Sequence, residues 1–244
     1  MSMTHEEYEL RKAIIEKCRF MNSSGLNQGT SGNISVRYQD QMLITPSATP
    51  YDRMEPDMIA SMPLNTDYGS WSGPLKPSTE WRFHLDILRA RPDVNAVVHA
   101  HPTYCTAIAI TRREIPAVHY MMAAFGGTTV RCADYATFGT EALSNNALKA
   151  LEDRTACLLA NHGMIAVGAG LDKAMWLAVE LETLARQYFN TLLIGNQVVL
   201  SDEAIADTAR GFSSYGLQDT PKAGKAGKVG AEGKAKAKAK TKGK

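Results

Sequence analysis

Between residues 4 and 24 the apolar side chains return every three or four positions, and Leu10, Ile14, Cys18 and Met21 fall on one stripe. That spacing predicts an amphipathic helix. Thr4 followed by Glu7 fits a capping box at its start, and Gly25 supplies a stop. The period then changes. The stretch "GTSGNISVRYQDQMLITPS" reads as a glycine-rich turn followed by two short strands, residues 34–38 and 41–45, with a turn of Asp and Gln between them. Residues 63–77 have the composition of a loop. After Pro77 and Ser78 a helix begins, with Trp81, Leu85 and Leu88 on one face and Glu80 in its first turn.

The apolar run of residues 95–101 reads as a strand that Pro102 stops. A helix over 103–110 and an extended segment, "EIPAVHYMM", follow. "TACLLANHGMIAVGAG" alternates near its middle and predicts a buried strand or hairpin. Asp172 is then placed to cap a long helix from 173 to about 194, ended by Gly195. Strands and helices interleave, so the class is α/β or mixed α+β around one sheet.

The chain has 244 residues, 44% hydrophobic and 21% charged, which suits one soluble α/β domain. No apolar run approaches the roughly 18 residues needed to span a bilayer. The first dozen residues do not read as a signal peptide, so a cytosolic protein is expected. Cys18, Cys105, Cys132 and Cys157 are scattered, which predicts reduced thiols and no cysteine-bound zinc. The overall charge of +2 conceals two objects. Residues 221–244 carry nine lysines and one glutamate, a net of +8, leaving a body at −6. That Lys/Ala/Gly tail cannot offset the entropy of ordering and is expected to be disordered. Without aromatic residues, its contact with nucleic acid would be weak and salt-sensitive.

Chemistry concentrates around histidine. On a strand, side chains alternate between faces, so His99 and His101 point the same way and can reach one metal ion. The other reading is two polar residues on a half-exposed strand. A catalytic zinc typically takes three protein ligands and keeps an open position. Of the remaining histidines, His162 is the best third ligand, because its surroundings are too apolar for a lone imidazole. The alternative is a core histidine bonded to backbone. Glu80 is a fourth ligand or general base, unless it merely complements a helix N-terminus. His84 shares a helix face with Glu80 and is a rival ligand, though a supporting or packing role is expected more. Ser78 and Thr79 at the helix start, with the small loops "GTSGN" and "TPSAT", are donor-rich and suit an anion such as phosphate.

Taken in order, "GLNQGTSGNISVRYQDQMLITPS", "PSTEWRFH", "NAVVHAHP", "IPAVHYMMAAFGG", "YATFGT" and "NHGMIAVG" resemble the class II aldolase/adducin family, from about residue 5 to 217. The resemblance implies a single α/β domain (an α/β/α sandwich, residues 1–217) with a mixed, largely antiparallel sheet, followed by the tail, 218–244. It implies a homotetramer with active sites shared between neighbouring subunits. By the same resemblance His99, His101 and His162 are zinc ligands, and such donors also accept cobalt or manganese. Glu80 becomes a ligand and the acid/base, and Tyr120 a tyrosine reaching the adjacent subunit's site. Gly32, Asn33, Ser47, Ser78 and Thr79 fall on phosphate-binding positions. Phe138 and Tyr215 fall near the aldehyde pocket and a mobile C-terminal segment. The implied activity is reversible cleavage of a ketose 1-phosphate, L-fuculose 1-phosphate or a similar 5-deoxy or 6-deoxy sugar. The products are dihydroxyacetone phosphate and an aldehyde such as L-lactaldehyde, formed through a zinc-stabilised enediolate.

The chain departs from that pattern at Ser47-Ala48, where Thr-Gly is usual. Phosphate binding there is expected to survive only if Ala48 avoids positive φ. Rival activities are an aldolase for 5-deoxyribulose or 5-methylthioribulose 1-phosphate, and a sugar-phosphate 4-epimerase, which usually carries Asp in place of Glu80. Phe138, Phe125 and the C-terminal segment would read the aldehyde's apolar end. A non-catalytic, adducin-like domain would have eroded ligands, yet all four are present.

Overall fold

Thr4 accepts a hydrogen bond from the Glu7 amide through its side chain, so α1 (His5–Ser23) begins where the capping box places it. The computed structural model describes residues 3–212; Tyr215 and the 218–244 tail lie outside the described residues. After α1 come β1 (Asn33–Tyr38), β2 (Gln41–Ile44), β3 (Ala60–Pro63) and α2 (Trp81–Ala90). The middle of the chain supplies β4 (Ala96–Ala100), α3 (Thr103–Ile110), β5 (Ile115–Pro116), β6 (Thr129–Val130) and β7 (Cys132–Ala133). Then follow α4 (Glu141–Ala150), β8 (Ala156–Leu159), β9 (Gly163–Gly168), α5 (Leu171–Ile194) and α6 (Asp202–Phe212).

Seven strands form one sheet in the order β3-β2-β1-β4-β9-β8-β7. Only the β7–β8 pair is parallel among them. The period-two alternation sends neighbouring residues to opposite cores. Val98, Leu43 and Met164 pack with Ile14 of α1 and Leu181 of α5. Val97, Ile44 and Ile165 pack with Phe83 of α2 and Leu143 of α4. Each such fully buried apolar side chain contributes about 1.5–3 kcal/mol. Helices therefore cover both faces, the α/β/α sandwich expected. His99 and Asn33 are cross-strand partners on the α2 side, because Val98 and Ile34 face the other way.

Several expectations need correction. Asp172 does not cap α5; Gly170 holds that position and Asp172 lies in the first turn, 2.6 Å from Lys17 Nζ. Extended structure ends at Pro116, and Tyr120–Phe125 is a 3-10 helix. Met121, Met122, Ala123 and Ala124 favour helix over strand, and the His119 side chain accepts from the Met121 amide at its start. The helix α6 was not read from the sequence, although Ser201 accepts from the Ala204 amide at its N-terminus. All four cysteines are free thiols, and burial raises Cys132 to about 11. None is poised as a nucleophile.

Candidate active site

Four side chains meet at the end of β4. His99 lies on that strand and His101 just beyond it. His162 sits half-buried in the turn between β8 and β9, so of the expected strand or hairpin the segment forms the hairpin. Gly163 permits this, since a Cβ there would stand 2.5 Å from the Ala100 carbonyl oxygen and 2.6 Å from His101 Cδ2. Glu80 occupies the position before α2, and its side chain makes no capping bond to that helix. It turns to the imidazoles instead, so the helix terminus does not account for it.

The three imidazole centroids are mutually 4.8 Å apart. Glu80 Oε2 lies 3.2 Å from His99 Nε2, and Oε1 lies 3.1 Å from His162 Nε2. One donor atom from each of the four residues falls within 4.8 Å of the others. His99 Nδ1 is 2.8 Å from the Met164 carbonyl, which fixes the proton there and turns the Nε2 lone pair inward. That lone pair then faces His101 Nε2 at 2.9 Å. Burial and the neighbouring imidazoles hold His101 down at about 3, so its ring is neutral. Burial opposes ionisation of Glu80, but His99 and His162 outweigh it and hold the carboxyl well below the usual range. Glu80 Oε1 is buried and, despite its nearness to His162, lacks hydrogen-bond geometry. A carboxylate and three imidazole nitrogens thus converge on one point, an arrangement that a divalent cation satisfies. His84 is outside this set, since both its ring nitrogens are bonded elsewhere, to Ser35 and Asn33.

The same Glu80 forms a wall of a cleft of about 180 Å³ that also takes in Gly32, Asn33, Ser47, Ala48, Ser78 and Thr79. Two loops are zipped together there: Ser47 N–H donates to Lys76 O and Ser78 N–H to Thr45 O. The amides of Ser47 and Ser78 are therefore occupied, and these residues offer an anion their hydroxyls. Asn33 donates to Glu80 through Nδ2 and receives His84 at Oδ1. Ala48 does adopt positive φ, 51°. The condition that Ala48 avoid this region is not met, but the loop keeps its glycine-like backbone path with an alanine in it. The strain costs about 1–2 kcal/mol and leaves the cleft-lining hydroxyls in place, so the expectation that positive φ forfeits the cleft is corrected.

These features carry a family signature. Residues 12–189 match the family described as Class II Aldolase and Adducin N-terminal domain. The chain belongs to this family. An L-fuculose phosphate aldolase of Escherichia coli (strain K12) is 50% identical over 214 residues, 87% of this chain and 98% of that protein. A 5-methylthioribulose-1-phosphate/5-deoxyribulose-1-phosphate aldolase of Rhodospirillum rubrum is 48% identical over 207 residues, 85% of this chain and 92% of that protein. A solved L-fuculose 1-phosphate aldolase superposes with a TM-score of 0.81 at 38% identity, covering 84% of this chain and 96% of its own. This class II aldolase thus has the His/Glu cluster that a metal-dependent member requires.

The remaining expected site residues lie apart from the cluster or at its margin. Tyr120 is not a member of it; its ring stacks over Phe212 at 6.5 Å and lies 4.6 Å from His119. Phe138 is exposed on the loop before α4. Its neighbour Gly139, at φ 75°, packs so closely that a Cβ would meet the Thr79 carbonyl at 2.8 Å, which seats this loop beside the cleft. Phe125 is fully buried in the core and is not a pocket residue in this chain. The sequence reading missed what supports Glu80: Asn33 and Ser35, polar at alternate positions of β1 where the strand is buried, were the signal.

Proposed function

We propose that this aldolase reversibly cleaves L-fuculose 1-phosphate, or a similar 5-deoxy or 6-deoxy ketose 1-phosphate, to dihydroxyacetone phosphate and a short aldehyde such as L-lactaldehyde. The observation that carries the reading is the shared wall: Glu80 belongs both to the imidazole cluster and to the donor-lined cleft. A reacting carbon and an anchored phosphate can therefore lie side by side. The 50% identical L-fuculose phosphate aldolase supports the same sugar.

His99, His101, His162 and Glu80 would hold the ion, zinc by the imidazole-rich donor set, with cobalt or manganese accepted as well. When bound, the ion supplies Lewis-acid stabilisation of negative charge on the substrate's oxygens. The hydroxyls of Ser47, Ser78 and Thr79, with the backbone around Gly32 and Asn33, fix the phosphate and so orient the C3–C4 bond. As that bond breaks, its electron pair stays on C3 and the C4 hydroxyl loses its proton to become the aldehyde. Glu80 returns a proton to C3, and Tyr120 of a neighbouring subunit exchanges one with the aldehyde oxygen. Phe138 and Tyr215 border the aldehyde's apolar end.

Exposure of Tyr120 and Phe138, of Leu193 and Ile194 in the last turn of α5, and of Val198 just beyond it supports assembly into a homotetramer with shared sites. Among the described residues no helix is long and apolar enough to cross a membrane, in keeping with a cytosolic enzyme. The domain is taken to end near residue 217, with the Lys/Ala/Gly-rich segment 218–244 following it in sequence. A second reading, cleavage of 5-methylthioribulose or 5-deoxyribulose 1-phosphate, is favoured by the 48% identical relative. The cluster and the cleft serve either sugar.

A panel of these three ketose 1-phosphates, assayed for dihydroxyacetone phosphate release with zinc removed and restored, tests the proposal. Zinc-dependent release, fastest from L-fuculose 1-phosphate, is expected. Fastest release from a methylthio or five-carbon sugar selects the second reading, and no release from any sugar with zinc bound overturns both.

A further inference from the structure

Behind Glu80 stands a line of polar groups that the reaction does not consume. Ser35 and His84 are fully buried, and Asn33 nearly so. Ser35 Oγ is 2.7 Å from His84 Nδ1, His84 Nε2 is 2.5 Å from Asn33 Oδ1, and Asn33 Nδ2 is 2.9 Å from Glu80 Oε2. Their polarity follows step by step from the carboxylate. An ionised carboxylate only accepts, so the amide nitrogen of Asn33 must be the end that faces Glu80. The amide oxygen then faces His84 and can only accept, which puts the ring proton on Nε2. Nδ1 is left as the acceptor for the Ser35 hydroxyl. Burial keeps the ring neutral, with its pKa depressed to about 3, so it carries a single proton.

We propose that Ser35, His84 and Asn33 form a one-directional hydrogen-bond relay that pins Glu80 by Oε2 and leaves Oε1 as the oxygen that exchanges the substrate's proton. Oε1 takes no bond from the relay, and His162 Nε2, 3.1 Å away, does not meet it in hydrogen-bond geometry, as this division requires. His84 is a positioning residue that acts through Asn33. An unsupported asparagine amide can flip, and a flipped Asn33 would set its oxygen against the carboxylate and release Glu80. The Nε2–H of His84 opposes the flip, because it would then face an NH₂ group unless the ring moved its proton to Nδ1 and reversed its bond to Ser35. The inference rests on the acid/base role given to Glu80 above.

Two substitutions and one spectrum test it. His84→Leu keeps an apolar filling but removes the donor to Asn33, whereas the side-chain amide of His84→Gln can donate from near the place of Nε2. For the zinc-loaded enzyme, kcat of His84→Leu is expected to fall about 10- to 100-fold, with KM and zinc content unchanged. His84→Gln is expected to recover most of that loss. Equal losses in both variants, normal turnover in His84→Leu, or a loss carried by KM or zinc content makes His84 a packing residue and overturns the relay. Independently of turnover, ¹⁵N NMR of the zinc-loaded wild-type protein at neutral pH should show His84 protonated at Nε2 and bare at Nδ1. An Nδ1–H tautomer or an imidazolium overturns it, even if both variants fail to fold. Absence of dihydroxyacetone phosphate release by the wild type would sink the proposed function instead, while the spectrum still decides the relay.

Discussion

The four-residue cluster and the aromatic pair of Tyr120 and Phe138 are built in opposite ways. His99 is 0% exposed and Glu80 5%, whereas Tyr120 is 45% exposed and Phe138 62%. Members of the cluster are held from behind: His99 by the Met164 carbonyl and Glu80 by Asn33. The aromatic residues stand on irregular chain, one at the start of a 3-10 helix and the other on a loop. Bond-breaking groups must keep their geometry within a fraction of an ångström, which a sheet and its packed helices provide. Phe138, proposed to read a variable end of the substrate, stands on a loop that can change without disturbing that frame. One such cluster can thus serve sugars that differ in their far end.

The sharpest break in this contrast is Glu80→Gln, which keeps the shape and removes the proton carrier. Dihydroxyacetone phosphate release should fall about 10³–10⁴-fold while metal analysis still finds the ion held by three histidines; near-normal release would remove Glu80 from the chemistry. Tyr120→Phe should cost about 100-fold in kcat with metal content intact. Co-expressing it with the Glu80→Gln chain should restore part of the activity, because a shared site can then draw one intact residue from each subunit. No recovery in purified hybrids would place Tyr120 in its own subunit's site or in none. Phe138→Ala should leave metal and phosphate affinity alone and change the kcat/KM ratio between two ketose 1-phosphates by about 3- to 10-fold; an unchanged ratio removes it from aldehyde recognition. The smallest effect belongs to the cleft itself. Ala48→Gly relieves a left-handed backbone and should raise stability by about 1 kcal/mol or less, read as a higher urea midpoint at constant slope.

Much of the frame was legible because local signals and packing agree. The capping box of α1, the bounds of α3 and the shared face of His99 and His101 all follow from spacing, and the structure keeps each. His162 was found for an imperfect reason: it is in a turn, where burial is only partial, and the apolar run around it is the hairpin's two strands. The 3-10 helix at Tyr120 was hidden because a β-prone "IPAVHY" runs directly into good helix formers. The hydrogen bonds of His84 were not legible, since they join α2 to β1 across about fifty positions, and no local period encodes a partner so distant. Ala48 illustrates another limit: an alanine gives no notice that its loop demands a backbone shape alanine dislikes.

Gly163 has a consequence for how this site can fail. The spacing between β4 and β9 beside His101 is set by hydrogen where every other residue would place carbon. A single methyl group there would act as a wedge, prising the turn that bears His162 away from its two companions. The enzyme can therefore be disarmed at a position with no functional group of its own, and a search for inactivating substitutions that inspects only ligands would pass over it.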